Sequence, residues 1–236
     1  MQGNKIRILS TRPIDDEIKR EANDNGIIID EIPFISTAIN KDKTVQERIS
    51  WLLNQEINAV FTSMTAVEAV SHYARGASSW HIYCIGHATR KLVENNFSCE
   101  HISGTAANAE KLAKKIIERL PKRVVFFCGD KRMDELPTKL KDAGIEVEEL
   151  IVYKTTGTPQ TLTQQYDGIL FFSPSAVNSF FSKNSITRQT TLFAIGSTTA
   201  EAAAVHTANP IIVSELPGKN NLIQLMIQHF KKVKNF

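Results

Sequence analysis

The sequence predicts an α/β protein of two similar lobes, each a parallel β-sheet flanked by helices. Three observations predict this fold. An apolar run that ends at Ser173 repeats one that ends at Ser63, 110 residues earlier, and a glycine follows each serine after the same 23 residues. Residues 6–12 and 124–130 match in the same way at an offset of 118. Short apolar runs also alternate with helical patterns along the chain, which is typical of parallel sheets covered by helices.

Length and composition set the class of protein. The 236 residues exceed the usual size of one domain, so two lobes of roughly 100 residues are expected. A content of 42% hydrophobic and 22% charged residues is typical of a globular protein. No apolar run reaches the ~18 residues of a membrane span, and residues 1–10 lack a signal-peptide core. We therefore expect a cytoplasmic monomer without a membrane partner.

The first lobe begins with a strand over Lys5–Ser10 and an acidic helix that ends at Gly26. A long β-rich run, Ile27–Ile35, follows and contains Pro33. Its counterpart in the repeat is residues 145–156. Because ten-residue strands are long for a lobe of this size, and proline suits the edge of a sheet, we interpret both runs as connectors between the lobes.

The next elements are predicted from caps and periodicity. A capping box over Thr44–Glu47 indicates a helix through Asn54, and Ser63 is placed to cap a helix over Thr65–Tyr73. Residues 108–120 form an amphipathic pattern with Leu112, Ile116 and Leu120 on one face. Further strands are predicted over residues 59–62, 81–85, 123–128, 169–172, 191–195 and 210–213.

Ligands of parallel α/β sheets bind beyond the carboxyl ends of the strands. Small hydroxylated residues stand at the predicted strand-to-helix turns, where free backbone N–H groups suit a carboxylate or a phosphate. The alternative is that each hydroxyl only caps its helix. The candidate residues at these turns are Arg12, Thr62, Ser63, Gly86, Thr89, Ser173, Ser175, Gly196, Thr198 and Thr199.

Several other kinds of site are not indicated. The dinucleotide, P-loop, nucleophile-elbow and zinc-protease motifs are absent from the sequence. Neither the three cysteines nor the six histidines have ligand spacing, so we expect no disulfide framework, no metal and no organic cofactor. A net charge of +3 is too small to indicate a nucleic-acid partner.

Seven segments, taken in order, resemble the uroporphyrinogen-III synthase family. They are residues 61–69 (FTSMTAVEA), 84–89 (CIGHAT), 108–113 (NAEKLA), 128–137 (CGDKRMDELP), 151–155 (IVYKT), 171–177 (FFSPSAV) and 194–200 (AIGSTTA). The resemblance implies that a two-stranded β-ladder joins the lobes. Lobe one would comprise residues 1–36 plus 154–236, and lobe two residues 37–153.

The resemblance also implies a reaction. A lyase of this family cyclises the linear tetrapyrrole hydroxymethylbilane, without a cofactor, and inverts its last pyrrole ring. Tyr153 matches the family's candidate acid for loss of the terminal hydroxyl. The turn residues above carry over as substrate contacts, together with Cys128 and Gly129 of the CGDKRMDELP segment.

Alternatives remain open at this point. Tyr153 could be an amphipathic residue of a connector strand with no catalytic role. The chain as a whole could be a non-catalytic regulator that binds an anionic small molecule, because fold and anion-binding turns do not by themselves make an enzyme. A sugar-phosphate isomerase would need a positioned Glu or His base, and none stands out.

Overall fold

The computed structural model describes residues 5–74, 79–97, 99–216 and 218–234, in eleven strands and nine α-helices. The strands are β1 (Ile6–Ser10), β2 (Ile27–Glu31), β3 (Ile35–Ile39), β4 (Ile57–Phe61), β5 (Trp80–Ile85), β6 (Ile102–Ala106), β7 (Arg123–Gly129), β8 (Glu146–Gly157), β9 (Gly168–Phe171), β10 (Thr191–Ala194) and β11 (Ile211–Val213). The helices are α1 (Asp16–Asp24), α2 (Lys43–Leu52), α3 (Met64–Ser71), α4 (His87–Phe97), α5 (Ala109–Arg119), α6 (Glu135–Asp142), α7 (Pro174–Phe181), α8 (Ser197–Ala204) and α9 (Lys219–Lys234). Within this part of the chain, none of the helices is both long and apolar enough to cross a membrane.

The chain divides into two units, and each contains one sheet. The first unit is residues 1–36 with 156–236, and the second is residues 37–155. The first sheet has the strand order β2-β1-β9-β10-β11, with parallel pairs. The second has the order β3-β8-β7-β4-β5-β6, and its pairs from β8 to β6 are parallel.

The two sheets have the same internal order once the sequence repeat is applied. The offset of 118 matches β1 with β7, and the offset of 110 matches β9 with β4 and β10 with β5. The order β1-β9-β10 in the first sheet therefore corresponds to the order β7-β4-β5 in the second. The predicted fold class, two similar parallel α/β lobes, is confirmed.

Each sheet is covered by helices on both faces because neighbouring strand residues point to opposite sides. In the first unit, Ile8 packs with α1 and α9, whereas Leu9 packs with α7. In the second unit, Phe61 packs with α2, α3 and α4, and Val60 with α5 and α6. Strands buried on both faces explain the continuous apolar runs in the sequence.

The predicted connectors are partly corrected. Ile27–Glu31 is the edge strand β2 of the first sheet, and Pro33 lies in the break before β3. β3 then lies beside β8 in the second sheet, where the Asn40 N–H donates to the Val152 carbonyl over 2.9 Å. The chain therefore passes between the units in β3 and in the end of β8. The edge position of β2 accounts for the proline that follows it.

Two local predictions fail and one strand was missed, each for an identifiable reason. The helix predicted from the Thr44 capping box is instead capped by Asp42, whose carboxylate accepts from the Thr44 N–H over 2.9 Å. Leu120 leaves the apolar face because it ends α5 in the left-handed conformation, with φ of 46°, and is 72% exposed. Strand β6 was not predicted, since its sequence ISGTA contains glycine and is only half-buried at the sheet edge.

A stack of aromatic rings stabilises the core of the second unit. The Phe127 ring centroid lies 5.1 Å from that of Phe61 and 5.4 Å from that of Trp80. We expect Phe127→Ala to lower the free energy of unfolding by about 3–5 kcal/mol, because a fully buried ring leaves a cavity. Urea denaturation measures the change. Leu120→Ala is the control and should change it by less than about 0.5 kcal/mol. Equal effects of the two substitutions would contradict this packing.

Candidate active site

The carboxyl ends of β4 and β7 form the switch point of the second sheet, where the chain winds outward in both directions. Ser63 follows β4 and caps α3, with its Oγ accepting from the Ala66 N–H over 3.2 Å. Gly129 is the last residue of β7. A parallel sheet therefore places Ser63 and Gly129 on adjacent strands at the edge where ligands bind.

Tyr153 reaches the same edge from β8. The β7–β8 register pairs Cys128 with Ile151 but Gly129 with Tyr153, so one residue of β8 is skipped in a β-bulge. The Asp130 N–H donates to the Tyr153 carbonyl over 3.2 Å. The Asp130 carboxylate accepts from the Thr155 N–H over 2.7 Å. The backbone of Tyr153 is thus held at the end of the paired segment.

The Tyr153 ring lies across Gly129. A Cβ atom added to Gly129 would stand 2.8 Å from the Tyr153 hydroxyl oxygen and 2.5 Å from its Cε2 atom. Across β7, the Ser63 side chain lies near enough to the hydroxyl to lower its pKa. The structure therefore brings together three residues that the sequence singled out, one on each of three adjacent strands.

Burial controls the protonation of this tyrosine. Burial raises the pKa of the Tyr153 hydroxyl above its ordinary value of 10.0. The Ser63 side chain lowers the pKa, and the nearby Cys128 and Asp130 raise it. The net pKa is raised, and the phenol is neutral at physiological pH, as a tyrosine with the ordinary pKa also is. A neutral phenol can donate a proton to a ligand.

The first unit has a matching edge without a tyrosine. Ser173 follows β9 and caps α7, with its Oγ accepting from the Ala176 N–H over 3.2 Å. At the end of β1, the exposed Arg12 guanidinium stacks on Phe172, 5.5 Å from the ring centroid. In the described ranges, no acidic side chain forms an ion pair with Arg12. This cation suits a carboxylate ligand.

Two glycines leave open space after the neighbouring strands, Gly86 after β5 and Gly196 after β10. Gly86 has a φ of +75°, which favours glycine, whereas Gly196 is extended, and a Cβ on either would meet nothing within 4 Å. Gly196 caps α8 without any side-chain hydrogen bond. Capping therefore explains Ser63 and Ser173, but it does not explain the hydroxyl of Thr198, which is exposed at this turn.

Four of the predicted contact residues are buried, and their contact with a substrate stays a prediction. Cys128 is 1% exposed and Thr199 is 2% exposed, and Thr89 is similarly enclosed at 7%. Gly129 is buried under the Tyr153 ring. Burial also raises the pKa of the Cys128 thiol to about 11. These residues pack within their own units, whereas Thr62 and Ser175 are half-buried and remain accessible to a ligand.

The sequence interpretation missed two residues of these edges. Phe172 supports Arg12, and Asp130 fixes the backbone beside Tyr153. The repeat contained a signal, because the offset of 118 places Asp130 at the position of Arg12. Opposite charges at matching positions indicate that the two edges have different chemical roles.

The structure describes the surroundings of two of the three cysteines. Cys84 and Cys128 are free and buried, and the side chain of Cys99 lies outside the described residues. The structurally described ranges hold no group of three or more His, Cys, Asp or Glu side chains arranged to bind a metal ion.

Together, the fold and these edges define a doubly wound α/β protein with hydroxyl-bearing helix N-termini at the carboxyl ends of both sheets. A sequence model of the family described as uroporphyrinogen-III synthase HemD matches residues 16–224. The chain belongs to the uroporphyrinogen-III synthase family. Uroporphyrinogen-III synthase of Saccharomyces cerevisiae is 28% identical over 137 residues, which cover 54% of this chain and 47% of the yeast protein. The match thus spans about half the length of that relative.

Solved structures of two bacterial proteins have a similar fold. A mutant uroporphyrinogen III synthase from Thermus thermophilus has a TM-score of 0.64 at 15% identity, covering 98% of this chain and 99% of that one. Uroporphyrinogen-III synthetase from Helicobacter pylori has a TM-score of 0.61 at 16% identity, covering 95% and 99%. At these identities the likeness establishes the fold.

The proximity of Tyr153 to Ser63 can be tested by titration. Because the Ser63 side chain lowers the pKa of Tyr153, Ser63→Ala should raise that pKa further above 10.0. Ultraviolet difference titration against Tyr153→Phe isolates this tyrosine. Ser173→Ala is the matched control, since it removes the equivalent cap at a cost of about 1 kcal/mol and leaves Tyr153 unchanged. A fall in the Tyr153 pKa in Ser63→Ala would contradict the geometry.

The same shift affects stability. The folded-state pKa of Tyr153 lies above its unfolded value, so its contribution to stability is present below pH 10.0 and is lost as pH rises through the folded pKa. The free energy of unfolding should therefore fall less steeply above pH 10.0 in Tyr153→Phe than in the wild type.

Proposed function

We propose that this chain is a uroporphyrinogen-III synthase, a lyase that cyclises hydroxymethylbilane with loss of water and inversion of the last pyrrole ring. The observation that carries the proposal is the neutral Tyr153 phenol, held at the switch point beside Ser63. Family membership supports this proposal over a non-catalytic regulator.

The reaction begins with loss of the terminal hydroxyl as water, which needs a proton. The Tyr153 phenol is the donor, because it is neutral at physiological pH and fixed by the backbone of Asp130. The substituted carbon of the last pyrrole attacks the methylene carbon of the electrophilic azafulvene that remains. The spiro intermediate breaks and recloses with that ring inverted. Tyr153 then recovers its proton as the final ring loses one.

The remaining task is to hold a flexible substrate with eight carboxylates in the one conformation that permits inversion. The exposed Arg12 pairs with one carboxylate. The positive ends of α3 and α7, beside Ser63 and Ser173, suit other carboxylates. The open backbone at Gly86 and Gly196, with Thr62, Ser175 and Thr198 nearby, adds further contacts. Orientation by many weak contacts is a recognised source of catalysis.

The remaining features of the proposal concern the chain as a whole. We propose a cytoplasmic monomer that needs neither a metal nor an organic cofactor and has no nucleic-acid or membrane partner. Its functional lobes are residues 1–36 plus 154–236 and residues 37–153. Activity that chelation abolished and one added metal restored would contradict the cofactor-free reaction.

A product assay tests the activity. Hydroxymethylbilane is incubated with the purified chain, the products are oxidised, and the type I and type III porphyrins are separated. The proposal predicts type III in large excess, whereas unassisted closure gives type I. A product mixture unchanged by the protein would favour the non-catalytic regulator.

Tyr153→Phe separates proton donation from orientation. Loss of general acid catalysis should lower kcat by about 10²- to 10⁴-fold at most, which is about 2.7–5.5 kcal/mol. The product should stay largely type III, because the contacts that orient the substrate are retained. Steady-state kinetics and the isomer ratio measure both effects. Wild-type kcat in Tyr153→Phe would remove this residue from the mechanism.

Arg12→Gln tests carboxylate binding in the first unit. Removing the exposed cation should raise KM roughly 3- to 10-fold with little change in kcat, because it removes a charge-assisted contact that is partly screened by water. Arg188→Gln is the matched control. It makes the same change in net charge, but Arg188 lies before β10, at the amino end of the same sheet. Equal KM values for the two variants would rule out a specific contact by Arg12.

A further inference from the structure

We propose that Gly129 is a positioning residue whose missing side chain places the Tyr153 ring, and with it the proton donor, beside Ser63. This inference rests on the proposed function. The geometry gives Gly129 a specific reason to be glycine, and that reason concerns Tyr153.

The backbone itself does not require glycine at this position. Among the described glycines, positive φ occurs at Gly26, Gly86, Gly144 and Gly218, and Gly129 is not one of them. An alanine could adopt its conformation. What excludes a side chain is the ring above it, because an added Cβ would stand 2.5 Å from Tyr153 Cε2, closer than real Cβ contacts.

The other half of the repeat supports this interpretation. At the offset of 118, Thr11 occupies the place of Gly129, and Ile35 the place of Tyr153. Thr11 is 1% exposed, and its Oγ1 donates to the Leu170 carbonyl over 2.8 Å. The end of β1 therefore accommodates a side chain, and the residue that corresponds to Tyr153 in this half is not a tyrosine.

The surroundings determine what moves when a side chain is added. The Asp130 N–H donates to the Tyr153 carbonyl, and the Asp130 carboxylate accepts from the Thr155 N–H, so the β8 backbone is fixed at Tyr153 and just after it. Gly129 is paired within the register of the same two strands. A methyl group at residue 129 therefore displaces the ring, which is half-buried and can turn towards solvent.

Gly129→Ala should then mimic loss of the hydroxyl. The displaced phenol no longer reaches Ser63 or the reacting group, so kcat should fall to the level of Tyr153→Phe while KM changes little. The isomer should remain type III. The displaced ring gains water, so the pKa of Tyr153 should fall back towards its ordinary value, a direction opposite to that expected for Ser63→Ala.

The experiment compares Gly129→Ala, Tyr153→Phe and the double variant in the full chain. We expect the double variant to lose no more kcat than either single one, because both changes remove the same proton donor. Gly104→Ala is the matched control. Gly104 lies in β6 of the same sheet, and a Cβ there would stand 2.9 Å from Tyr83 Cδ1. It should lose stability but keep kcat and the pKa of Tyr153.

Each outcome decides the proposal. Wild-type kcat in Gly129→Ala, multiplicative losses in the double variant, or an unchanged Tyr153 pKa would each overturn it. If Gly129→Ala is too unstable to assay, its cost in stability is measured in a Tyr153→Ala background, where removal of the ring should abolish it; a persisting cost would overturn the proposal. A wild-type chain inactive on hydroxymethylbilane would refute the proposed function, and the titration would still decide whether Gly129 places Tyr153.

Discussion

The contact between the Tyr153 ring and the bare backbone of Gly129 is the constraint on which the candidate active site depends. This contact places the side chain of a tyrosine in β8 over β7 and near the serine that follows β4. Without this placement of the tyrosine ring over β7, neither the serine cap nor the raised phenol pKa would indicate a catalytic role. A one-residue bulge and two hydrogen bonds of Asp130 provide the backbone geometry.

The two sheets have the same strand order, and different residues at their strand ends give them different properties. At matching positions, one edge has Gly129 and Asp130 beneath a tyrosine, and the other has Thr11 and an exposed arginine. The first combination favours proton donation, and the second favours binding of a carboxylate. Serine-capped helices occur at both edges, and the N-terminus of a helix suits an anionic group.

Much of this could be predicted from the sequence, because periodicity and the repeat report burial directly. The two serine caps, the similarity of the lobes and the strands other than β6 follow from those patterns. The burial of Thr89 and Thr199 could not be predicted, since a hydroxyl in the first turn of a helix can face inward or outward with the same sequence. The pairing of Gly129 with Tyr153 depends on a bulge, and a shift of one residue would place the tyrosine on the other face.

The most direct test of this arrangement is a nuclear Overhauser measurement on the full chain with labelled tyrosine and glycine. The packing predicts strong cross-peaks between the Tyr153 ring protons and the Gly129 Hα protons, which disappear from the spectrum of Tyr153→Ala. A spectrum without these cross-peaks, in a chain that is otherwise folded, would contradict the placement of the tyrosine and the catalytic role derived from it.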